Sequence, residues 1–179
     1  VNVSCPNVAC EGMAFGVDPK VVEQVTKAVR NVTDKPVIVK LSPNVTDIVE
    51  IAKAVEAGGG DGVSLINTIL GMAIDIHRRK PVLGNIYGGL SGPAVKPVAL
   101  RMVYQVYKGV NIPIMGLGGI MTGTDAIEFM MAGAQAVQVG TATMVDPTAI
   151  SRIAREMGDY VEQYNLNSIT DIVGAVHQG

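Results

Sequence analysis

Five short runs of apolar, mostly β-branched residues recur along this 179-residue chain, and they constrain its fold more than any other feature. Each run is followed, directly or after a loop, by a segment whose apolar residues return at helical spacing. Continuous apolar strands are typical of a sheet covered on both faces, and alternation with helices favours parallel strands joined by right-handed crossovers. The predicted strands are 1–4, 37–41, 61–67, 112–116 and 136–140.

Helix start signals precede the amphipathic segments. Asp18 before Pro19 predicts an N-cap and a first helical residue, for a helix that runs to about residue 32. Asp146 before Pro147 repeats this pattern ahead of a helix over 150–164. The other helices are predicted after Asn44 or Thr46, over 97–108, after Thr124 and after Ser168.

The stretch 68–89 interrupts the alternation because its residues follow no regular period. It combines an apolar segment with the basic run 77–80 and a turn-rich end. It predicts a long inserted loop, with a hairpin as one possible form, and long loops in compact domains are usually functional. No linker or repeat divides the chain, so residues 1–179 are predicted to form a single domain.

Composition argues against several classes of protein. Hydrophobic residues make up 48% of the chain and charged residues 17%, which is enough apolar material for a folded core. A net charge of -2 with scattered Lys and Arg argues against a nucleic-acid-binding face, and no apolar run is long enough to cross a bilayer. The two cysteines make neither a disulfide framework nor a zinc site, so a cytoplasmic protein without a metal ion is expected.

Polar and glycine residues stand at the carboxyl ends of the predicted strands. In parallel α/β folds the ligand binds at this edge of the sheet. Convergence of five strand ends on one mouth favours a closed barrel over an open sheet. A (β/α)8 TIM barrel needs eight strands and about 250 residues, so this α/β chain is expected to be the C-terminal portion, with about the last five strands.

Two of these strand ends predict a phosphate site. Gly118 and Gly119 follow one strand, and Gly140 and Thr141 follow the next, where barrels commonly bind phosphate through backbone N–H groups. The alternative is that the glycines only permit tight turns. Lys40, at the end of a buried strand, would form a Schiff base, pair with a carboxylate or neutralise a reduced flavin, unless its ammonium group extends to solvent.

The opening strand end carries the remaining reactive groups. Cys5 is the only acid–base or nucleophile candidate there, and a free thiol has a pKa of about 8.5. A structural role as a small buried side chain fits the composition equally well. Amide and hydroxyl groups near the same mouth suit a flat heterocycle, although each asparagine alone is typical of an ordinary loop. These groups belong to Asn2, Asn7, Asn67 and Thr68. We expect Cys10 to be incidental, and His77 and His177 to be surface residues.

Several motifs, in order along the chain, resemble those of one enzyme family. They are Asn2-Val3-Ser4-Cys5-Pro6-Asn7-Val8, Phe15-Gly16-Val17-Asp18-Pro19, Val39-Lys40-Leu41-Ser42-Pro43-Asn44-Val45-Thr46-Asp47-Ile48, Ile66-Asn67-Thr68, Gly88-Gly89-Leu90-Ser91-Gly92-Pro93 and Gly140-Thr141-Ala142. They fall at the predicted strand ends and span nearly the whole chain. Together they closely resemble dihydroorotate dehydrogenase of the soluble class 1, and within it the B type.

The resemblance implies an FMN-containing (β/α)8 barrel that oxidises dihydroorotate to orotate in de novo pyrimidine biosynthesis. It implies that Cys5 is the base that takes the C5 proton while a hydride leaves C6 for the flavin. The residues implied to bind the substrate are Asn2, Asn7, Asn67 and Thr68. Those implied to bind FMN are Asn2, Lys40, Ile66, Gly92, Gly118, Gly119, Gly140 and Thr141, with Lys40 countering charge at the reduced ring.

The resemblance also implies partner proteins. B-type enzymes pass electrons to NAD through an iron–sulfur flavoprotein subunit, and a homodimer of catalytic subunits is expected. This sequence has no cysteine cluster for an iron–sulfur centre, so the partner would supply it. The cysteine at position 5 favours the soluble class, because the membrane-associated class 2 enzymes have serine there.

Truncation is the departure from the family, since strands one to three of the barrel would be absent. An isolated part-barrel leaves two open parallel edges, so we expect that it cannot hold FMN alone, and an inactive fragment is one alternative. A dihydropyrimidine dehydrogenase, which shares the Ser-Cys-Pro opening and the Pro-Asn-Val-Thr-Asp-Ile run, is a second. A Schiff-base aldolase that uses Lys40 is a third, although it leaves Cys5 and the asparagines without a task.

Overall fold

The computed structural model describes residues 1–4 and 15–178. Its strands are β1 (Ile38–Lys40), β2 (Gly62–Leu65), β3 (Ile69–Met72), β4 (Ile74–Asp75), β5 (Lys80–Pro81), β6 (Tyr87–Leu90), β7 (Ile114–Leu117) and β8 (Ala136–Gln138). Its α-helices are α1 (Pro19–Arg30), α2 (Ile48–Ala57), α3 (Lys96–Tyr107), α4 (Gly123–Met131), α5 (Thr141–Val145) and α6 (Ala149–Gln163).

Four parallel strands form the central sheet, in the order β1, β2, β7 and β8. Asn2 adds a fifth position, because it pairs in parallel with Lys40 of β1. Chain order and spatial order therefore coincide in this sheet, as they do around a barrel of parallel strands. All five predicted strands are confirmed, the first of them as a single residue pair.

The strands in the middle of the sheet are buried because their side chains are mostly apolar on both faces, whereas Ala136 and Gln138 of the edge strand β8 are exposed. Val39, Val63 and Leu65 have no exposed surface, and Ile114 is 1% exposed. Helices α2, α3 and α4 pack against them, and α4 contributes the fully buried ring of Phe129. The core therefore lies between the sheet and this layer of helices. Burial of each such side chain contributes about 1.5 to 3 kcal/mol to the stability of the fold.

The first two helix starts confirm one predicted cap and correct another. The Asp18 carboxylate accepts a hydrogen bond from the second helical N–H, and Pro19 opens α1, as predicted. The cap of α2 is Asp47, so the prediction of Asn44 or Thr46 is wrong. The Asn44 side chain instead bonds the backbone that leads into β3, which lies far away in the chain.

Two later helix starts also differ from the predicted ones. α4 begins after Thr122, not after Thr124, because Asp125 is the third residue of the helix and completes a capping box with Thr122. Pro147 is not the first residue of α6, which begins two residues later. The Asp146 carboxylate accepts the N–H and hydroxyl of the residue after the proline, and this turn delays the helix.

The C-terminal segment folds back onto α3. Ser168 caps a short 3-10 helix, as predicted. His177 stacks on Tyr104 and Tyr107, with ring centroids 4.1 Å and 4.6 Å away, and its Nε2 lies 3.0 Å from the Ala132 carbonyl oxygen. The prediction that His177 is a surface residue is therefore wrong, since aromatic packing holds the ring partly buried.

The insertion between β2 and α3 consists of two nested hairpins. β3 pairs antiparallel with β6, and β4 pairs antiparallel with β5, so the hairpin form of the predicted loop is confirmed. His77 lies exposed within it, as predicted. The insertion also exposes nine large apolar side chains, those of Leu70, Met72, Ile74, Ile76, Val82, Leu83, Ile86, Tyr87 and Leu90.

The central sheet does not close on itself within residues 1–4 and 15–178. β8 pairs with β7 alone, and on the other side the sheet ends at the Asn2 pair. No helix in the described part of the chain combines the length and apolar character needed to cross a membrane.

Candidate functional site

A cavity of about 290 Å³ lies at the carboxyl ends of the central strands. The end of the insertion and the start of α5 form its remaining walls. It brings together residues from five separate segments of the chain, all of them predicted from the sequence to bind cofactor or substrate. These residues are Lys40, Ile66, Asn67, Thr68, Gly92, Gly118, Gly119, Gly140 and Thr141.

Three other predicted site residues are not part of this lining. Cys5 and Asn7 lie outside the described residues. Asn2 lies beside the cavity, where it pairs with Lys40 through the backbone. The predicted roles of these three residues in catalysis and binding therefore stay predictions.

The loop after β7, residues 118–122, passes very close to the start of α3. Gly118 and Gly119 have φ angles of +133° and +78°, which side chains rarely adopt. A Cβ atom on Gly119 would lie 2.7 Å from the Gly92 carbonyl oxygen and 2.9 Å from the Lys96 nitrogen, so only glycine fits. At Gly140, by contrast, a Cβ atom would meet nothing within 4 Å.

Several backbone N–H groups beside this cavity find no acceptor among the described residues. They belong to Gly118, Gly119, Gly140 and Thr141. Backbone polar groups in folded proteins are normally paired, and successive N–H groups without internal partners are a common way to bind an anion. The two glycine segments therefore offer donors to an anion, and the predicted phosphate site stays a prediction.

Lys40 ends β1 and its half-buried side chain lines the cavity. Its backbone N–H donates to the Val1 carbonyl oxygen at 2.8 Å, which fixes the strand end. Within the described parts of the chain, no carboxylate forms an ion pair with its ammonium group. The charge is therefore available to a ligand in the cavity.

Ser4, which was not among the site residues predicted from the sequence, connects the opening segment to the end of β2. Its hydroxyl donates to Asn2 Oδ1 at 2.7 Å and accepts from Asn67 Nδ2 at 2.7 Å. Asn67 Nδ2 also donates to the Ser4 carbonyl oxygen at 3.0 Å. Ser4 is 9% exposed, so these bonds are shielded from water. Asn67 thus positions the residue that directly precedes Cys5.

Replacing Ser4 with alanine is expected to lower the free energy of unfolding by about 1 to 3 kcal/mol, because Asn2 and Asn67 lose a shielded partner. Denaturant unfolding of the two proteins measures this change. Ser151→Ala is the matched control, since that serine lies exposed on α6, and it should change stability by no more than about 0.5 kcal/mol. Equal stability losses in the two variants would contradict the proposed connection.

Ser91 is a second residue of the site that sequence reasoning missed. The Thr141 hydroxyl donates to the Ser91 hydroxyl at 2.9 Å, and both residues line the cavity. This bond joins the end of the insertion to the start of α5. The available signal was the position of Ser91 next to Gly92 in the Gly-Leu-Ser-Gly-Pro run.

Two groups of charged side chains surround the loop after β7. Hydrogen bonds to Asp125 and Glu128 raise the pKa of Lys96. Burial alone would raise the pKa of Asp125, but the bond from Lys96 and bonds from backbone N–H groups lower it below its usual value. On the other side, Arg152 pairs with Glu156, whose pKa is lowered by a backbone N–H and by this pair. These pKa shifts favour the charged forms of Lys96, Asp125 and Glu156.

Comparison with known proteins yields one consistent family. The family model for dihydroorotate dehydrogenase matches residues 1–161. The chain is 63% identical over 177 residues, 99% of its length, to the dihydroorotate dehydrogenase B (NAD(+)) catalytic subunit of Desulforamulus reducens. It is 59% identical over 176 residues to the subunit of the same name from Geobacter sulfurreducens. The chain spans 58% of the length of each of these relatives.

Proposed function

Because this chain belongs to the dihydroorotate dehydrogenase family, we propose that it forms the cofactor and substrate site of an enzyme that oxidises dihydroorotate to orotate. The reaction would serve pyrimidine biosynthesis, with FMN as hydride acceptor. The single observation that carries the proposal is the cavity at the strand ends, which collects Lys40, Asn67 and the glycine loop after β7. The parallel sheet corresponds to the last five strands of a (β/α)8 barrel.

The lining of the cavity fits FMN in both its polar and its apolar parts. The N–H groups of Gly118 and Gly119, which have no acceptor within residues 1–4 and 15–178, suit the phosphate. Ile66 and Ile120 give the cavity apolar walls that suit a flat ring. Lys40 would counter the negative charge that the ring gains on reduction. When bound, FMN supplies a hydride acceptor.

Cys5 would act on the substrate as a general base. Its thiolate would take the proton from C5 of dihydroorotate, the electron pair of that bond would form the C5–C6 double bond, and the hydride lost from C6 would go to the acceptor that FMN supplies. The thiol then returns the proton to water. Ser4 and Asn67 hold the backbone before Cys5 in place, and Thr68, which lines the cavity, would offer a hydroxyl to the pyrimidine. The remaining amides for the substrate come from Asn2 and Asn7.

A partner subunit would remove the electrons from the site. The relatives are named catalytic subunits of an NAD(+)-linked enzyme, a name that implies a second kind of subunit. We propose that this subunit is an iron–sulfur flavoprotein, because the present sequence contains only two cysteines and no cluster of them. The catalytic subunits themselves would form a homodimer.

The test of this function uses the full-length protein that contains these residues. We expect the purified protein to be yellow, to release FMN on denaturation, and to reduce that flavin when dihydroorotate is added without oxygen. Dihydrouracil should leave the flavin oxidised. Faster reduction by dihydrouracil would instead indicate a dihydropyrimidine dehydrogenase. Trapping of Lys40 by borohydride with a carbonyl substrate, without bound flavin, would indicate an aldolase.

Residues 1–179 expressed alone are expected to bind no stoichiometric flavin. Both edges of the central sheet lack a neighbouring strand in the described residues, so part of the cavity wall and of the core would face water. Absorbance in the visible range measures bound flavin, and the full-length protein prepared in parallel is the control. A yellow fragment that oxidises dihydroorotate would contradict this prediction while leaving the proposed reaction intact.

A further inference from the structure

The loop after β7 is held from both sides by charged side chains that do not line the cavity. On the α3 side, Lys96 Nζ lies 2.6 Å from Asp125 Oδ1 and 2.9 Å from Glu128 Oε2. The other oxygen of Asp125 accepts the N–H groups of Met121 and Thr122, each at 2.9 Å. Lys96 is therefore connected to the loop through one carboxylate.

On the α6 side a second ion pair holds the same stretch of backbone. Arg152 donates to the Met121 carbonyl oxygen at 3.1 Å and to Glu156 Oε1 at 3.1 Å. The other Glu156 oxygen accepts the N–H of Gly123, the first residue of α4. The N–H groups of residues 121–123 are thus occupied by carboxylates, while those of Gly118 and Gly119, earlier in the same loop, have no acceptor in the described part of the chain.

The two cations are already neutralised in this arrangement. Lys96 contacts two carboxylates, and Arg152 contacts Glu156 and lies 3.6 Å from an Asp146 oxygen. Neither Lys96 nor Arg152 lines the cavity. The anion-binding capacity of this end of the cavity therefore comes from backbone N–H groups, whose directions depend on how firmly the loop is held.

We propose that Lys96 and Arg152 are positioning residues that, through Asp125 and Glu156, hold the glycine loop in the shape that takes the phosphate of the cofactor, and that neither cation binds the phosphate itself. This inference rests on the proposed function, because it takes FMN as the cofactor. It assigns to four charged side chains a role in cofactor selection. FMN and riboflavin share the ring and differ in the phosphate, so the loop should govern the difference between their affinities.

The test measures the affinities of FMN and riboflavin for the full-length apoprotein by quenching of flavin fluorescence. We expect Lys96→Met and Asp125→Ala to weaken FMN binding about tenfold or more and to change riboflavin binding by less than about twofold, because only the phosphate end loses preorganised donors. Lys96→Arg should retain FMN affinity, since a guanidinium group still pairs with both carboxylates. Arg152→Met should act in the same direction as Lys96→Met.

Arg30→Met is the matched control. Arg30 pairs with Asp61 at 2.6 Å, and its side chain is 25% exposed, as is that of Lys96. Asp61 also accepts a backbone N–H, that of Val37, so this pair likewise connects a cation to the backbone through one carboxylate, and none of these three residues lines the cavity. The control should lower the melting temperature without changing either affinity.

Three results would overturn the inference. Equal weakening of FMN and riboflavin by Lys96→Met would mean general destabilisation, and unchanged FMN affinity would mean that the ion pair does not hold the loop. Stronger FMN binding in Asp125→Ala would mean that the released Lys96 binds phosphate directly. If the wild-type protein prefers FMN over riboflavin but a variant gives one of these results, only the inference fails. If it binds neither flavin, the proposed function fails as well.

Discussion

Replacing Cys5 with alanine is expected to slow the oxidation of dihydroorotate by about 10²- to 10⁴-fold, the usual contribution of a positioned general base. FMN binding should not change, because Cys5 is not among the predicted flavin contacts, most of which lie at other strand ends. Anaerobic mixing of the enzyme with dihydroorotate measures the effect directly, as the rate at which the flavin absorbance disappears. The substrate affinity should change little, since the base acts on a C–H bond.

Two further variants make this prediction specific to the position. Cys10→Ala is the matched control, because it removes the only other thiol of the chain, and it should leave the rate within about twofold of the wild type. Cys5→Ser should remain slow near neutral pH, because an alcohol is a far weaker acid than a thiol and supplies almost no oxyanion. Unchanged flavin reduction in Cys5→Ala would remove this residue from the mechanism.

Replacing Gly119 with alanine is expected to abolish FMN binding and to destabilise the protein. The residue has a φ of +78°, which costs a side-chain-bearing residue about 1 to 2 kcal/mol. The added Cβ atom would also stand 2.7 Å and 2.9 Å from backbone atoms of Gly92 and Lys96, which cannot rotate away. The loop after β7 must therefore move, and its N–H groups lose the directions that a phosphate requires. Flavin content of the purified protein and its unfolding midpoint measure the two effects.

Gly59→Ala separates backbone strain from loop displacement. Gly59 has a φ of +82°, but the nearest atom to an added Cβ is Arg30 Cγ at 3.3 Å, part of a flexible side chain. This variant should lose only the stability expected from the φ angle, about 1 to 2 kcal/mol, and should keep its flavin. Full flavin content in Gly119→Ala would show that the close approach to α3 is not needed for cofactor binding.

The sequence predicted the strands well and the helix caps less well. Apolar β-branched runs identify buried strands because burial on both faces leaves no room for polar alternation. A cap depends on which of several nearby polar side chains turns toward the helix. Thr122 caps α4 because Asp125 lies where it completes the capping box, and Asn44 is not a cap because it bonds the backbone around β3.

The sequence predicted those parts of the candidate site in which a residue type at a strand end commonly serves to bind a ligand. Glycines after parallel strands and a lysine at a strand end pointed to the cavity in which they lie. Ser4 and Lys96 carry no such signal, since a serine beside a strand and a lysine at a helix start are ordinary. Their partners, Asn67 and Asp125, are 63 and 29 residues away in the chain.

In the opening segment, too, the residue types could be interpreted from the sequence, while their contacts with distant segments could not. Its residues and their order, with a thiol after a short strand, predict a reactive group at the mouth of a parallel barrel. Only the tertiary structure shows that Ser4 joins this segment to Asn67, and that the loop after β7 is held by ion pairs from α3 and α6. Periodicity and turn chemistry act between neighbours and can be read from the chain. Hydrogen bonds and charge pairs between distant segments depend on packing, which decides which polar groups meet.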